Sequence, residues 1–145
     1  MANEKNMRAF YRDAVEENKS VFFPASKRIK DEEGNPVMWE LRVLGYDEIK
    51  AITKRNTKNV PNKVTGAAEK RTNAEEAAME MTLASIVFPD LNDADLQDSW
   101  GVVGSEALLK AMLTPGEIVD LENAVQSAAG YSTEMDEKIT AVKNS

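Results

Sequence analysis

The chain contains no cysteine and no histidine. Without cysteine there are no disulfides and no thiolate zinc sites, which fits a reducing compartment. Without histidine the most frequent general base and the commonest metal ligand are missing. Serine triads, Cys–His pairs and ordinary zinc centres are therefore excluded, while carboxylate, lysine and tyrosine chemistry stays open. Apolar runs are also short. None approaches the roughly 20 residues that cross a bilayer, so no membrane partner is expected. The first residues, "MANEKNMRAFYRD", are charged and lack the apolar stretch of a signal peptide.

What is present is 145 residues with 42% hydrophobic content, enough for one core and one domain. Charge is unevenly spread. Residues 51–72 hold six Lys and Arg against one Glu, a balance of +5, whereas residues 73–145 hold fourteen Asp and Glu against three Lys, a balance of −11. Nucleic-acid binding rests on clustered cations, so the acidic half argues against that partner.

Periodicity predicts the elements. Met7, Phe10, Tyr11, Ala14 and Val15 recur at helical spacing, giving a short amphipathic helix over residues 4–18. "SVFFPASKRI" and "PVMWELRVL" flank "KDEEGN", whose Gly34 and Asn35 suit a turn, and residues 20–44 read as a β-hairpin. Val37, Trp39, Leu41 and Val43 alternate with Met38, Glu40 and Arg42, so one face should be buried. Pro24 suggests an edge strand or a bulge. "YDEIKAITKRN" predicts a helix with Ile49 and Ile52 inward. Residues 56–72 carry Pro61 and Gly66 without an apolar period, and read as a mobile basic loop. It has neither aromatics to stack bases nor a phosphate-binding glycine pattern.

From residue 73 the pattern reads as helical throughout. Asn73 caps a helix carrying Met79, Leu83, Ile86 and Val87. "SEALLKAML" puts Leu108, Leu109, Met112 and Leu113 on one side. Thr114, Pro115 and Glu117 form a helix start with a capping box, followed by Ile118, Leu121 and Val125 up to Gly130. Ser132 begins a last helix or tail with Met135, Ile139 and Val142. The fold class is α+β: an N-terminal hairpin or small antiparallel sheet, then a bundle of short helices.

Asp90, Asp93, Asp95 and Asp98 fall within nine residues. A calcium loop needs oxygen ligands at positions 1, 3 and 5, Gly at 6 and Glu at 12. Starting at Asp90 puts Asp95 in the Gly position and Gly101 in the Glu position; starting at Asp93 puts Asp98 and Gly104 there. Both registers fail. Paired-carboxylate hydrolysis needs an aromatic-lined cleft and one carboxyl with a raised pKa. A helix start explains the stretch better. Pro89 stops one helix, Asn92 or Asp90 caps the next, and Asp93 and Asp95 favour its dipole. Leu91, Leu96 and Trp100 then share an apolar face. No catalytic, cofactor or metal residue is assigned.

"ASIVFPDLNDADLQDSWGVVGSEALLKAMLTPGEIVDLENAVQSAAGY", together with the earlier "SKRIKDEEGNPVMWELRVL", resembles the XkdN-like family of phage tail assembly chaperones over residues 20–131. The resemblance implies a cytoplasmic, non-enzymatic protein that coats an apolar tape measure protein, recruits tail tube subunits and leaves before the particle is finished. Its implied partners are those two proteins. Family members made in two lengths by frameshifting add a longer form of the chain itself, and a homo-oligomer is also allowed. Phe88, Leu91, Leu96, Trp100, Leu108, Leu109, Met112 and Leu113 are the candidate partner-binding residues, and ordinary core packing is the competing reading for Leu108, Leu109, Met112 and Leu113. An adaptor that stays in its final complex is the alternative function.

Overall fold

The computed structural model describes residues 5–131. Strand β1 (Val21–Phe23) pairs antiparallel with β2 (Trp39–Leu41). Between them the turn closes on Asp31, whose Oδ1 accepts from the N–H groups of Glu33 and Asn35, each at 2.9 Å. Gly34 takes a φ of 87°, a conformation that costs glycine little. The hairpin of the sequence reading is therefore present, though its ladder is short.

Helix α1 (Tyr46–Arg55) follows, with Ile52 buried and Ile49 half-buried. Residues expected as a loop instead form a second hairpin, β3 (Thr57–Pro61) against β4 (Ala68–Thr72), in register from Thr57↔Thr72 to Pro61↔Ala68. Every residue of β4 is exposed. The hairpin is held by its ladder and by the paired hydroxyls of Thr57 and Thr72 at 2.7 Å, and lacks the buried face that a strand pattern advertises.

Helix α2 (Ala74–Ser85) starts where the sequence places it, with Asn73 Oδ1 accepting from Glu76 N–H at 3.2 Å. It ends before Ile86. Ile86, Val87 and Phe88, expected in the last turn of this helix, instead form strand β5 (Ile86–Phe88), which pairs with β2 and completes a sheet of order β1-β2-β5. Arg42 N–H donates to the Ser85 carbonyl at 2.8 Å, and Ser85 Oγ donates to the Arg42 carbonyl at 2.7 Å. The chain thus leaves the helix directly onto the open edge of β2. Helices α3 (Ala94–Trp100), α4 (Ser105–Met112) and α5 (Pro115–Ala128) complete the described chain.

The expected N-terminal helix is reduced to one 3₁₀ turn at Met7–Phe10 with no buried residue. Met7, Phe10, Tyr11 and Val15 are all exposed. A helix this short needs tertiary cover for its apolar stripe, and no described element gives it. The predicted last helix from Ser132 lies outside the described residues.

Trp39 and Leu41 of the sheet meet Ile52, Met79, Met81, Leu108, Leu109, Leu121 and Val125 of the helices in one core. Among the described residues the helices cover the sheet on that face alone. Buried Thr82 and Ser85 donate to the Ala78 and Arg42 carbonyls, so their hydroxyls are satisfied.

The start of α5 shows its capping box in full. Glu117 N–H donates to Thr114 Oγ1 at 3.2 Å, and Thr114 N–H donates to Glu117 Oε1 at 2.8 Å. Thr114→Ala should cost about 0.5 to 2 kcal/mol, read from denaturation midpoints. Arg28 extends the lock by donating to Glu117 Oε1 at 2.9 Å and to the Met112 carbonyl at 2.7 Å. The Thr114 N–H first, and Arg28 second, hold the Glu117 carboxyl down to about 2. An ionised Glu117 therefore stabilises the fold above the unfolded carboxyl pKa of roughly 4.3. That contribution is lost as the pH falls toward about 2. Glu117→Gln should flatten the stability–pH curve across that acid window and lower the midpoint at neutral pH.

Candidate functional site

The four aspartates organise backbone rather than a site. Asp93 is the cap of α3, its Oδ1 accepting from Asp95 N–H at 2.8 Å and Leu96 N–H at 3.2 Å. Asp90 Oδ1 accepts from Asn92 N–H at 3.0 Å and makes the preceding turn. The cap thus falls one residue after Asn92, because Asp93 is the position that reaches two free amides at once. Gln97 then braces the far end, donating to the Leu91 carbonyl at 2.8 Å and accepting from Gly104 N–H at 3.0 Å. Among the described residues no group of three or more acids could hold a metal ion.

The residues proposed from sequence to meet a partner separate by burial. Leu91, Leu108, Leu109, Met112 and Leu113 lie in the core and present no surface. Leu96 is half-buried against them. Phe88, at 53% exposure, and Trp100, at 42%, remain open. Trp100 ends α3 beside the nearly bare Val103.

Phe88 is part of a larger apolar face that the sequence reading did not assemble. Trp39 and Leu41 point inward, so Glu40 between them points outward. Glu40 is paired with Phe22 on one side and with Phe88 on the other. The three side chains form one row across the outer surface of the sheet, with the two phenylalanines about 10 Å apart by strand spacing. Phe22 is 59% exposed. The register shift opposite Glu40 and Leu41 leaves Val87 as an extra, exposed residue on β5, and Met38 is exposed two residues before Glu40. Beyond the row, Arg42 clamps Glu48 through both carboxylate oxygens, at 3.0 and 2.5 Å, which lowers the Glu48 carboxyl and raises the guanidinium. A charged border thus stands beside an aromatic centre.

One sequence signal for this face exists. Phe22 and Phe23 are neighbours on a strand, and neighbours on a strand point to opposite faces. In a sheet covered on one side, one of the two must be left outside. Phe23 packs against the core and Phe22 does not.

The molecule is therefore an α+β protein with exposed aromatic side chains on the outer face of its three-stranded sheet. The family model of the phage XkdN-like tail assembly chaperone proteins matches residues 7–143, and the chain belongs to that family. A crystal structure described as that of the protein yqbn has a similar fold, with a TM-score of 0.69 at 19% identity over 90% of this chain and 100% of that one. None of the curated proteins matches the chain. The family role is non-enzymatic. Among the described residues no helix is long and apolar enough to cross a membrane.

Proposed function

We propose that this tail assembly chaperone holds the tape measure protein through the outer face of its three-stranded sheet, recruits tail tube subunits, and leaves as the tube polymerises. The observation that carries this reading is the row Phe22, Glu40 and Phe88, two half-open aromatic rings around one acid on an otherwise charged protein. Exposed apolar groups gathered on one face mark a binding surface, because water is released when a partner covers them. Phenylalanine contributes area at little rotamer cost, which suits an apolar client lacking a fixed polar pattern. A sheet face of three short strands is small, so each contact is modest in affinity and reversible, as a coat that must leave requires. The formal net charge of −7 keeps the free protein in solution while this face is open. Trp100 and the exposed Met7 and Phe10 supply further apolar surface outside the row.

The test is co-expression with the tape measure and tail tube proteins encoded alongside it. The chain should keep the tape measure soluble and be captured with it from fresh lysate. It should be missing from finished particles. Capture of neither protein overturns the reading, and finding the chain in mature particles replaces it with the adaptor.

A further inference from the structure

A second surface, remote in chemistry from the sheet face, lies along α1. Lys50 and Lys54 stand one turn apart, and with Tyr46 and Ile49 they form one wall of a groove of about 720 Å³. Lys70 of β4 reaches it from the second hairpin, and Tyr131, just past α5, closes it. Among the described residues no carboxylate lines it. Arg28, Arg42 and Arg55 each hold a glutamate at 2.9, 2.5 and 2.7 Å. Among the described residues none of the three groove lysines has such a partner. A cationic groove with two exposed tyrosines, on a protein of net charge −7, calls for an anionic occupant with an apolar component.

That combination occurs on the same chain. Glu75 and Glu76 in the first turn of α2 stand with Glu122 of α5 around Met79 and the exposed Val119. The neighbouring Lys110 is already paired with Glu106 at 3.0 Å. Among the described residues Glu122 makes no ion pair, and burial first and Glu75 second raise its carboxyl above the ordinary range.

We propose that the Lys50, Lys54 and Lys70 groove of one copy takes up the Glu75, Glu76 and Glu122 surface of a second copy, so that identical chains join head to tail. The lysines enter among the carboxylates, and Tyr46 and Tyr131 meet Val119. The two surfaces are different, so each contact leaves one of each kind free at the ends and the row can grow. Both surfaces are small, so the contact is weak in dilute solution and screened by salt. Copies lined up on one long client would gain local concentration. The contact itself does not depend on which client is bound.

The experiment uses the purified full chain with no other protein, by sedimentation velocity across concentration. The average mass should rise with concentration at low salt, with an association constant falling at least about tenfold between roughly 50 and 300 mM salt. Lys54→Glu/Lys70→Glu and Glu75→Lys/Glu76→Lys should each be monomeric with unchanged circular dichroism. A chain carrying all four changes should associate again, because the charges are exchanged rather than lost. A wild-type chain that stays monomeric throughout overturns the proposal. So does association that survives either reversal or is indifferent to salt. Should a reversed chain fail to fold, the salt dependence of the wild-type chain decides.

Discussion

Trp39→Ala should remove about 3 to 5 kcal/mol of stability, enough to unfold much of the population near 37 °C. Trp39 is 1% exposed on the central strand of the sheet, opposite Phe23, and belongs to the core that the helices close. Truncating it removes the largest fully buried side chain and leaves a void that short strands pinned to β1 and β5 cannot collapse around. Its neighbour Met38 is exposed, and Met38→Ala should stay within about 0.5 kcal/mol of wild type. Urea midpoints for the pair test the strand's facing directly, provided the slopes agree. Equal effects at the two positions would mean that β2 does not bury one face.

The sequence spoke most clearly where a local interaction decides the structure. Thr114 and Glu117 satisfy each other's amides, Asn73 caps α2, and Asp31 with Gly34 closes a turn, all within four residues. It also revealed the facing of Trp39 and Leu41, since alternation is a direct record of a one-sided sheet. Its failures are of another kind. Ile86, Val87 and Phe88 continue an apolar run out of a helix, and a short apolar run fits helix or strand equally. What makes them a strand is the open edge of β2, where Leu41 lies 45 residues before its partner Ile86. The second hairpin buries almost nothing, so it leaves no period to read. At the N-terminus the period is present but no described element covers it. Five of the eight candidate partner residues lie in the core for the same reason. Leu108 and Leu109 are apolar on an amphipathic helix, and only the position of α2 and α5 against that helix puts them inside. Phe22 and Phe88 come together only through long-range strand pairing, each meeting Glu40 from opposite sides.

Phe22→Asp/Phe88→Asp should abolish capture of the tape measure while leaving the fold intact. Both rings lie on the solvent side of the sheet, so the new carboxylates stay hydrated and carry little folding cost. Around Glu40 they would place three acids in one row, about 5 Å from strand to strand. That change removes two aromatic anchors and sets like charges at the centre of the contact. Truncated interface anchors commonly cost about 2 kcal/mol or more apiece, so the double variant should bind at least roughly 700-fold more weakly at 1.4 kcal/mol per tenfold. Trp100→Asp measures the share of the second exposed ring, and its smaller, isolated surface should cost less. Circular dichroism and urea midpoints must match wild type for the comparison to count. Tail tube recruitment gives an independent readout, because a variant that loses the client through global damage would lose the tube protein too. Full capture by the double variant would remove the sheet face from the interaction and shift the client to Trp100 and the apolar segment before β1.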